Sequence, residues 1–261
     1  MSLDEKFYRA RITERVDVAP GLWRFRVNPG GEFPFQAGQY ATLGVEFADR
    51  RVERPYSIAS SPYEEEVEFF VELVPDGRLT PELHKLQQGS EMLMRKTAKG
   101  RFTLDIEGER ANHLLISTVT GLAPFISYIR TLCRECELGG FPQGHRLFLI
   151  HGASRSWELG YHHEIEQIAG SVPWLTYVAT VSRPWEDQDW TGEVGRVDDL
   201  LRKYLDQWNL ESGDTAAYLC GHPQMIDHSK GILKRRGFGS EAIKEEVYWV
   251  PKPAPASRDD A

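Results

Sequence analysis

The chain has 261 residues, 41% hydrophobic and 27% charged, enough apolar material for one large or two ordinary packed domains, which excludes disorder as the default. A formal net charge of −8 argues against nucleic acid as the main partner, because phosphate binding needs a basic field. Three cysteines, Cys133, Cys136 and Cys220, are too few for a disulfide framework or an iron–sulfur cluster.

The N-terminus has no apolar signal segment, and no apolar run approaches the ~18 residues of a bilayer span. The expectation is a cytoplasmic protein. Residues 8–16, 22–27, 40–45 and 67–74 alternate and are rich in β-branched and aromatic side chains, so they read as strands. Glycine and proline cut them apart at Pro20-Gly21, Pro29-Gly30-Gly31, Pro34, Gly38 and Pro75-Asp76-Gly77. Short strands with frequent turns predict an all-β antiparallel barrel. Arg9, Arg11, Arg24, Arg26, Lys96, Lys99 and Arg101 lie in this part, either as a local basic patch or as part of a mixed-sign surface.

The texture changes near Gly108. Strands at 113–118, 146–151, 175–181 and 216–220 alternate with helices at about 125–136, 158–169, 197–208 and 223–236. Alternating strand and helix predicts an α/β domain with a parallel, five-stranded-type sheet. The division is therefore a barrel over 1–107 and an α/β domain over 108–261, the latter ending in a proline-containing tail from Pro251. Cys133 and Cys136, three apart in a helix without further ligands, read as two ordinary thiols.

Four segments carry chemistry. In Arg54-Pro55-Tyr56-Ser57 the arginine offers a planar donor fork suited to a pyrophosphate, the tyrosine shares its strand face and can stack on a flat ring, and the serine can bond a ring nitrogen. An edge strand with an exposed arginine fits the same residues. In Pro75-Asp76-Gly77-Arg78-Leu79-Thr80-Pro81, Gly77 permits a turn and Thr80 is expected to cap a short helix with Pro81 at its first position. Thr118-Val119-Thr120-Gly121-Leu122-Ala123-Pro124 joins strand to helix at the carboxyl end of a strand, where open parallel sheets bind ligands. Cys220-Gly221-His222-Pro223-Gln224-Met225 does the same.

Together and in this order, these segments resemble the ferredoxin–NADP⁺ reductase family, in particular the bacterial type that serves ferredoxin or flavodoxin; the string from Arg54 to Pro62 is its most specific part. The resemblance implies FAD as cofactor, NADP(H) as co-substrate with NAD(H) as the alternative, and a one-electron carrier, ferredoxin or flavodoxin, as partner. A reductase component of an oxygenase complex is the rival reading. It implies that Arg54, Pro55, Tyr56, Ser57, Val71, Arg78, Leu79, Thr80 and Thr120 contact FAD, with Ser57 near the hydride-accepting nitrogen. Gly121, Pro124, Gly221 and Met225 would shape the nucleotide pocket, and Cys220 would approach the nicotinamide. In Glu245-Glu246-Val247-Tyr248-Trp249, Tyr248 or Trp249 would cover the flavin, and Glu246 or Glu245 would handle a proton.

The chain departs from the family pattern at three places. Val119 stands where glycine is usual, so either its φ is negative or the loop is reshaped. Ser154 occupies the place of an arginine, with Arg155 one residue later. Glu193 follows Thr191-Gly192 where an arginine is frequent, while Ser182-Arg183 fits the NADP pattern and Arg196 lies nearby. The expectation favours NADP.

Overall fold

The computed structural model describes residues 3–47, 50–140 and 143–247. After a short helix α1 (Leu3–Lys6), the first half contributes β1 (Phe7–Ala19), β2 (Leu22–Asn28), β3 (Tyr40–Phe47), β4 (Arg50–Ser57), β5 (Val67–Glu72), α2 (Thr80–Lys85) and β6 (Glu91–Arg95). The six strands form one antiparallel sheet in the order β4-β3-β6-β1-β2-β5. The end strands meet through an Ile58–Phe69 bridge, and Ala59 N–H donates to the Glu68 carbonyl at 2.8 Å. The sheet thus curls into the predicted barrel, around Trp23, Phe25, Leu43, Ile58, Phe69 and Met94.

The second half contributes β7 (Asn112–Thr118), α3 (Ala123–Glu137), β8 (Arg146–Ala153), α4 (His162–Ser171), β9 (Leu175–Val181), β10 (Glu193–Val194), α5 (Val197–Gln207), β11 (Thr215–Gly221), α6 (Pro223–Arg235) and β12 (Ile243–Val247). The parallel sheet runs β10-β9-β8-β7-β11-β12. It has six strands where the sequence suggested five, and the two-residue β10 is too short to show as a periodic run. Strand residues alternate between faces. Leu115, Leu149 and Tyr218 pack with Phe125, Ile129 and Ile165 of α3 and α4, while Leu114, Ile150 and Leu219 pack with Leu201, Leu205, Ile226 and Leu233 of α5 and α6. Burial on both faces explains why β7 and β11 read as continuous apolar runs.

The helix expected from Glu158 begins later, at His162. Glu158 instead ends a 3₁₀ turn and accepts the backbone N–H groups of Ser154 and Arg155. Gly160 packs so closely on Phe70 that a Cβ there would lie 2.4 Å from its ring, and Tyr161 turns the chain at φ 61°.

A buried ion cluster fastens the halves together. Glu68 of β5, its side chain 1% exposed, meets Arg130 of α3 at 3.0 Å and Arg26 at 2.6 Å, with Arg24 at 3.4 Å. The Tyr161 hydroxyl donates to it at 2.6 Å. Arg130 also donates to Glu164 of α4 at 2.7 and 3.0 Å. Burial alone raises the Glu68 pKa; Arg130, the Tyr161 hydroxyl and Arg26 together outweigh that and hold it below the usual range. Arg24 and Arg26 thus serve an internal carboxylate rather than an open basic patch.

Candidate functional site between the two sheets

β4 is an end strand of its sheet, so Pro55 costs no ladder hydrogen bond there. Arg54 and Tyr56 are half-buried while Pro55 is exposed, as alternation requires. Burial pushes the Tyr56 hydroxyl well above the ordinary tyrosine range, against an opposing pull from Arg54. The phenol is therefore neutral. Ser57 ends the strand, buried, and its hydroxyl donates to Glu246 Oε2 at 2.8 Å.

Glu246 lies on β12 beside Cys220 of β11 in parallel register. Burial raises its pKa, and the Ser57 bond partly offsets the rise. Neighbouring Glu245 is exposed and pairs with Lys230 at 2.7 Å. Of the two carboxylates, Glu246 is the one that faces the barrel. Ser57, Cys220 and Glu246 are thus brought together from opposite ends of the chain. Tyr248 and Trp249 lie outside the described residues.

On the barrel, the turn after β5 differs from expectation. Thr80 is the first residue of α2, and the preceding Leu79 makes no side-chain cap. The Thr80 hydroxyl reaches back to Val74, accepting its N–H at 3.0 Å and donating to its carbonyl at 3.1 Å. The N–H and the carbonyl of one residue satisfy it better than a cap would. Arg78 is exposed. Val71 and Leu79 bury their side chains in the barrel core, so they present backbone alone to any ligand.

At the top of the second sheet two loops lie back to back. Thr118 Oγ1 accepts the His222 N–H at 2.9 Å. A Cβ on Gly121 would lie 2.3 Å from the Cys220 carbonyl oxygen, and one on Gly221 (φ 132°) would lie 2.3 Å from Thr118 Oγ1. Only glycine permits either contact. Pro124 sits buried at the start of α3, and the Thr120 carbonyl accepts the Ala123 N–H. Val119 adopts φ 43°, so the loop keeps a glycine-like conformation without glycine. The negative φ weighed from the sequence does not hold, because the flanking contacts dictate the backbone.

Further along the same edge lie Ser154, Arg155, Ser182, Arg183, Glu193 and Arg196. The Arg155 guanidinium donates to Glu158 at 2.9 Å and to Glu186 at 2.6 Å. Arg183 lies 3.7 Å from Glu186, and its N–H donates to the Ser154 carbonyl. The Ser182 N–H donates to the Ala153 carbonyl. Arg196 pairs with buried Asp198 at 3.3 Å. Glu193 accepts the Tyr204 hydroxyl at 2.7 Å and also pairs with Lys203. Lys203 and Tyr204 hold it below the usual carboxylate range. Met225 is placed apart from these: its side chain is buried in the core beneath α6, where Ser229 contacts it. The partners Glu158 and Glu186 escaped sequence reading, although Arg155 and Glu158 are spaced for an ion pair at i, i+3.

Burial pushes the Cys133 thiol up to about 11 and raises that of Cys136, so neither is a thiolate near neutral pH. Among the described residues no helix is long and apolar enough to cross a membrane.

The chain matches two family models, an oxidoreductase FAD-binding domain over residues 9–104 and an oxidoreductase NAD-binding domain over residues 115–231. It is 32% identical over 230 residues to a ferredoxin–NADP reductase of Pseudomonas aeruginosa, covering 83% of this chain and 84% of the relative. It is 28% identical over 243 residues to the reductase component of a phenol 2-monooxygenase from Pseudomonas sp. (strain CF600), covering 92% of this chain and 65% of that protein. A ferredoxin NADP⁺ reductase from Neisseria gonorrhoeae, solved with bound FAD and NADP, superimposes with a TM-score of 0.80 at 24% identity, over 93% of this chain and 98% of that one.

Proposed function

The chain belongs to the ferredoxin–NADP reductase family, and from that premise we propose that it is an FAD-dependent oxidoreductase exchanging hydride with NADP(H) and single electrons with ferredoxin or flavodoxin. The observation that carries the reading is the meeting of Ser57 with Glu246 and, on the adjacent strand, Cys220. It places a hydroxyl, a carboxyl and a thiol where the barrel faces the carboxyl edge of the parallel sheet.

The residues present fit FAD. Arg54 and Tyr56 share one strand face, as a pyrophosphate and a flat ring attached to it require. When bound, FAD supplies two-electron exchange with a nicotinamide and one-electron exchange with a carrier protein. The chain's own residues bind, orient and exclude water. Ser57 holds its hydroxyl toward Glu246, and Glu246 retains a proton to higher pH than an exposed glutamate does. Cys220 and Pro124 are buried beneath the carboxyl edge of the sheet. Arg155, Arg183, Arg196 and Glu193 stand at the end of the sheet edge where an adenosine would lie, and they govern the choice of nucleotide.

A reductase component of an oxygenase complex is the second reading. The similarity to the phenol 2-monooxygenase component favours it. Purified chain, its visible spectrum and titration with NADPH and NADH against ferredoxin and flavodoxin test both. A yellow protein that reduces either carrier supports the first reading, and a yellow protein that reduces only dyes favours the second. A colourless protein unable to take up FAD overturns both.

A further inference from the structure

Val119 is the one β-branched residue among the described residues with a positive φ, at 43°. Such a side chain resists this conformation, because its branches crowd the adjacent peptide. Strain of this kind persists only where the surroundings over-determine it. Here they do. One residue earlier, Thr118 is tied through its hydroxyl to the His222 N–H. Two residues later, Gly121 is wedged against the Cys220 carbonyl, where even a Cβ would collide. Beneath the loop, buried His151 faces the Val119 backbone and is itself held by the Tyr177 hydroxyl at 3.2 Å. The peptide cannot rotate to relieve the side chain without breaking these contacts.

The side chain has a defined destination. It stays half-buried between the main core and a small cluster of Ala153 and Val181, which end β8 and β9, with Leu159. It starts from the loop at the end of β7 and leans toward β8 and β9, so its methyl groups sit on the carboxyl edge of the sheet. A dinucleotide running from Cys220 toward Arg155 must cross that edge. Glycine at this position would leave the crossing open; valine raises a ridge of two methyl groups across it.

We infer that Val119 is a nucleotide-site residue that limits how closely a nicotinamide dinucleotide seats across the sheet edge, and so weakens nucleotide binding. The inference rests on the functional reading above. Its cause is side-chain bulk, and strain is the cost of keeping that bulk in place.

The test uses the full, FAD-loaded chain and its Val119→Ala and Val119→Gly variants. Dissociation constants for NADP⁺ and NAD⁺ are read from the flavin difference spectrum, and thermal stability from the unfolding midpoint. Alanine removes the branches but keeps an unfavourable φ; glycine removes both. The expected result is a graded tightening, with affinity rising roughly threefold in Val119→Ala and tenfold in Val119→Gly for a ligand brought into closer contact. The unfolding midpoint should rise mainly in Val119→Gly. Dissociation constants that stay within about twofold across all three proteins, whatever the midpoints do, would overturn the inference and leave the valine a purely structural feature. A wild-type chain that binds FAD but neither nucleotide overturns the functional reading instead.

Discussion

Ser57, at the end of a barrel strand, donates its hydroxyl to Glu246 on the last strand of the parallel sheet, 2.8 Å away and 189 residues along the chain. The bond crosses the boundary between the two sheets, and it opposes the burial that raises the Glu246 pKa. A glutamate of raised pKa holds its proton above the ordinary range, so its ionisation moves toward neutral pH.

Two variants follow from that bond. Ser57→Ala removes the contact that favours the ionised form, so the Glu246 pKa rises further. The acid limb of the kcat/KM pH profile for nucleotide oxidation should move to higher pH. Glu246→Gln carries no ionisable group and should lose that limb altogether, with lower kcat. Profiles of wild type and both variants, recorded on FAD-loaded protein, check this. An unchanged limb in Glu246→Gln would assign the ionisation elsewhere.

Arg54 offers the clearest test of cofactor binding. A guanidinium bonded to a phosphate contributes about 1.5–3 kcal/mol, roughly ten- to a hundredfold in affinity. Arg54→Ala should therefore release FAD on dilution or gel filtration where wild type keeps it. Fluorescence recovery of free FAD measures the loss. Retention equal to wild type would remove Arg54 from the binding site.

Much of this site was legible in the sequence, and the reasons are local. Arg54-Pro55-Tyr56-Ser57 forms part of an end strand whose alternation and proline tolerance are properties of the segment itself. Gly121 and Gly221 mark close backbone approaches that admit no other residue. What the sequence left open has a different cause. Val71, Leu79 and Met225 sit inside chemistry-bearing segments but point into cores, and only the packed structure decides which way a side chain faces. Thr80 followed the rules of a helix cap, yet found a better partner in Val74. Glu68 lay hidden for the same reason, since its partners Arg24, Arg26, Arg130 and Tyr161 come from distant parts of the chain.

Glu193 offers a test of the proposed nucleotide choice. Its carboxylate is kept ionised by Lys203 and Tyr204, and it sits on the edge shared with Arg155 and Arg183. A negative charge there repels a 2′-phosphate. Glu193→Arg reverses that charge, and an exposed charge interaction is worth about 1 kcal/mol, or roughly fivefold. KM for NADPH should fall by that order, while KM for NADH changes little. Steady-state kinetics with both nucleotides decide the matter; an equal shift for the two would mean that the charge acts without regard to the 2′-phosphate. The effect should also shrink at high salt, because Glu193 is only half-buried and mobile ions can screen it.

The ion cluster around Glu68 sets how the folded chain responds to acid and to mutation. Its pKa is lowered in the folded protein, so the unfolded chain takes up the proton first as pH falls. The stability it contributes is complete above the ordinary glutamate pKa and is lost as pH drops through the lower, folded value. His113 adds to the same trend by a different route. Burial lowers its pKa to about 4, so it stays neutral in the fold while an unfolded histidine protonates. Its contribution begins to fall below the ordinary value of about 6.5. Stability should therefore decline in two stages on acidification, first from histidine and then from Glu68. Arg130→Met separates the second stage. It leaves a buried carboxylate without its main partner and should cost about 3–5 kcal/mol at neutral pH. In the variant Glu68 is expected to protonate more readily, so the penalty shrinks as pH falls toward the glutamate range. Urea unfolding of both proteins at several pH values measures this convergence. A penalty that stays constant with pH would show that Arg130 acts through packing and its bonds to Glu164 rather than through the buried charge of Glu68.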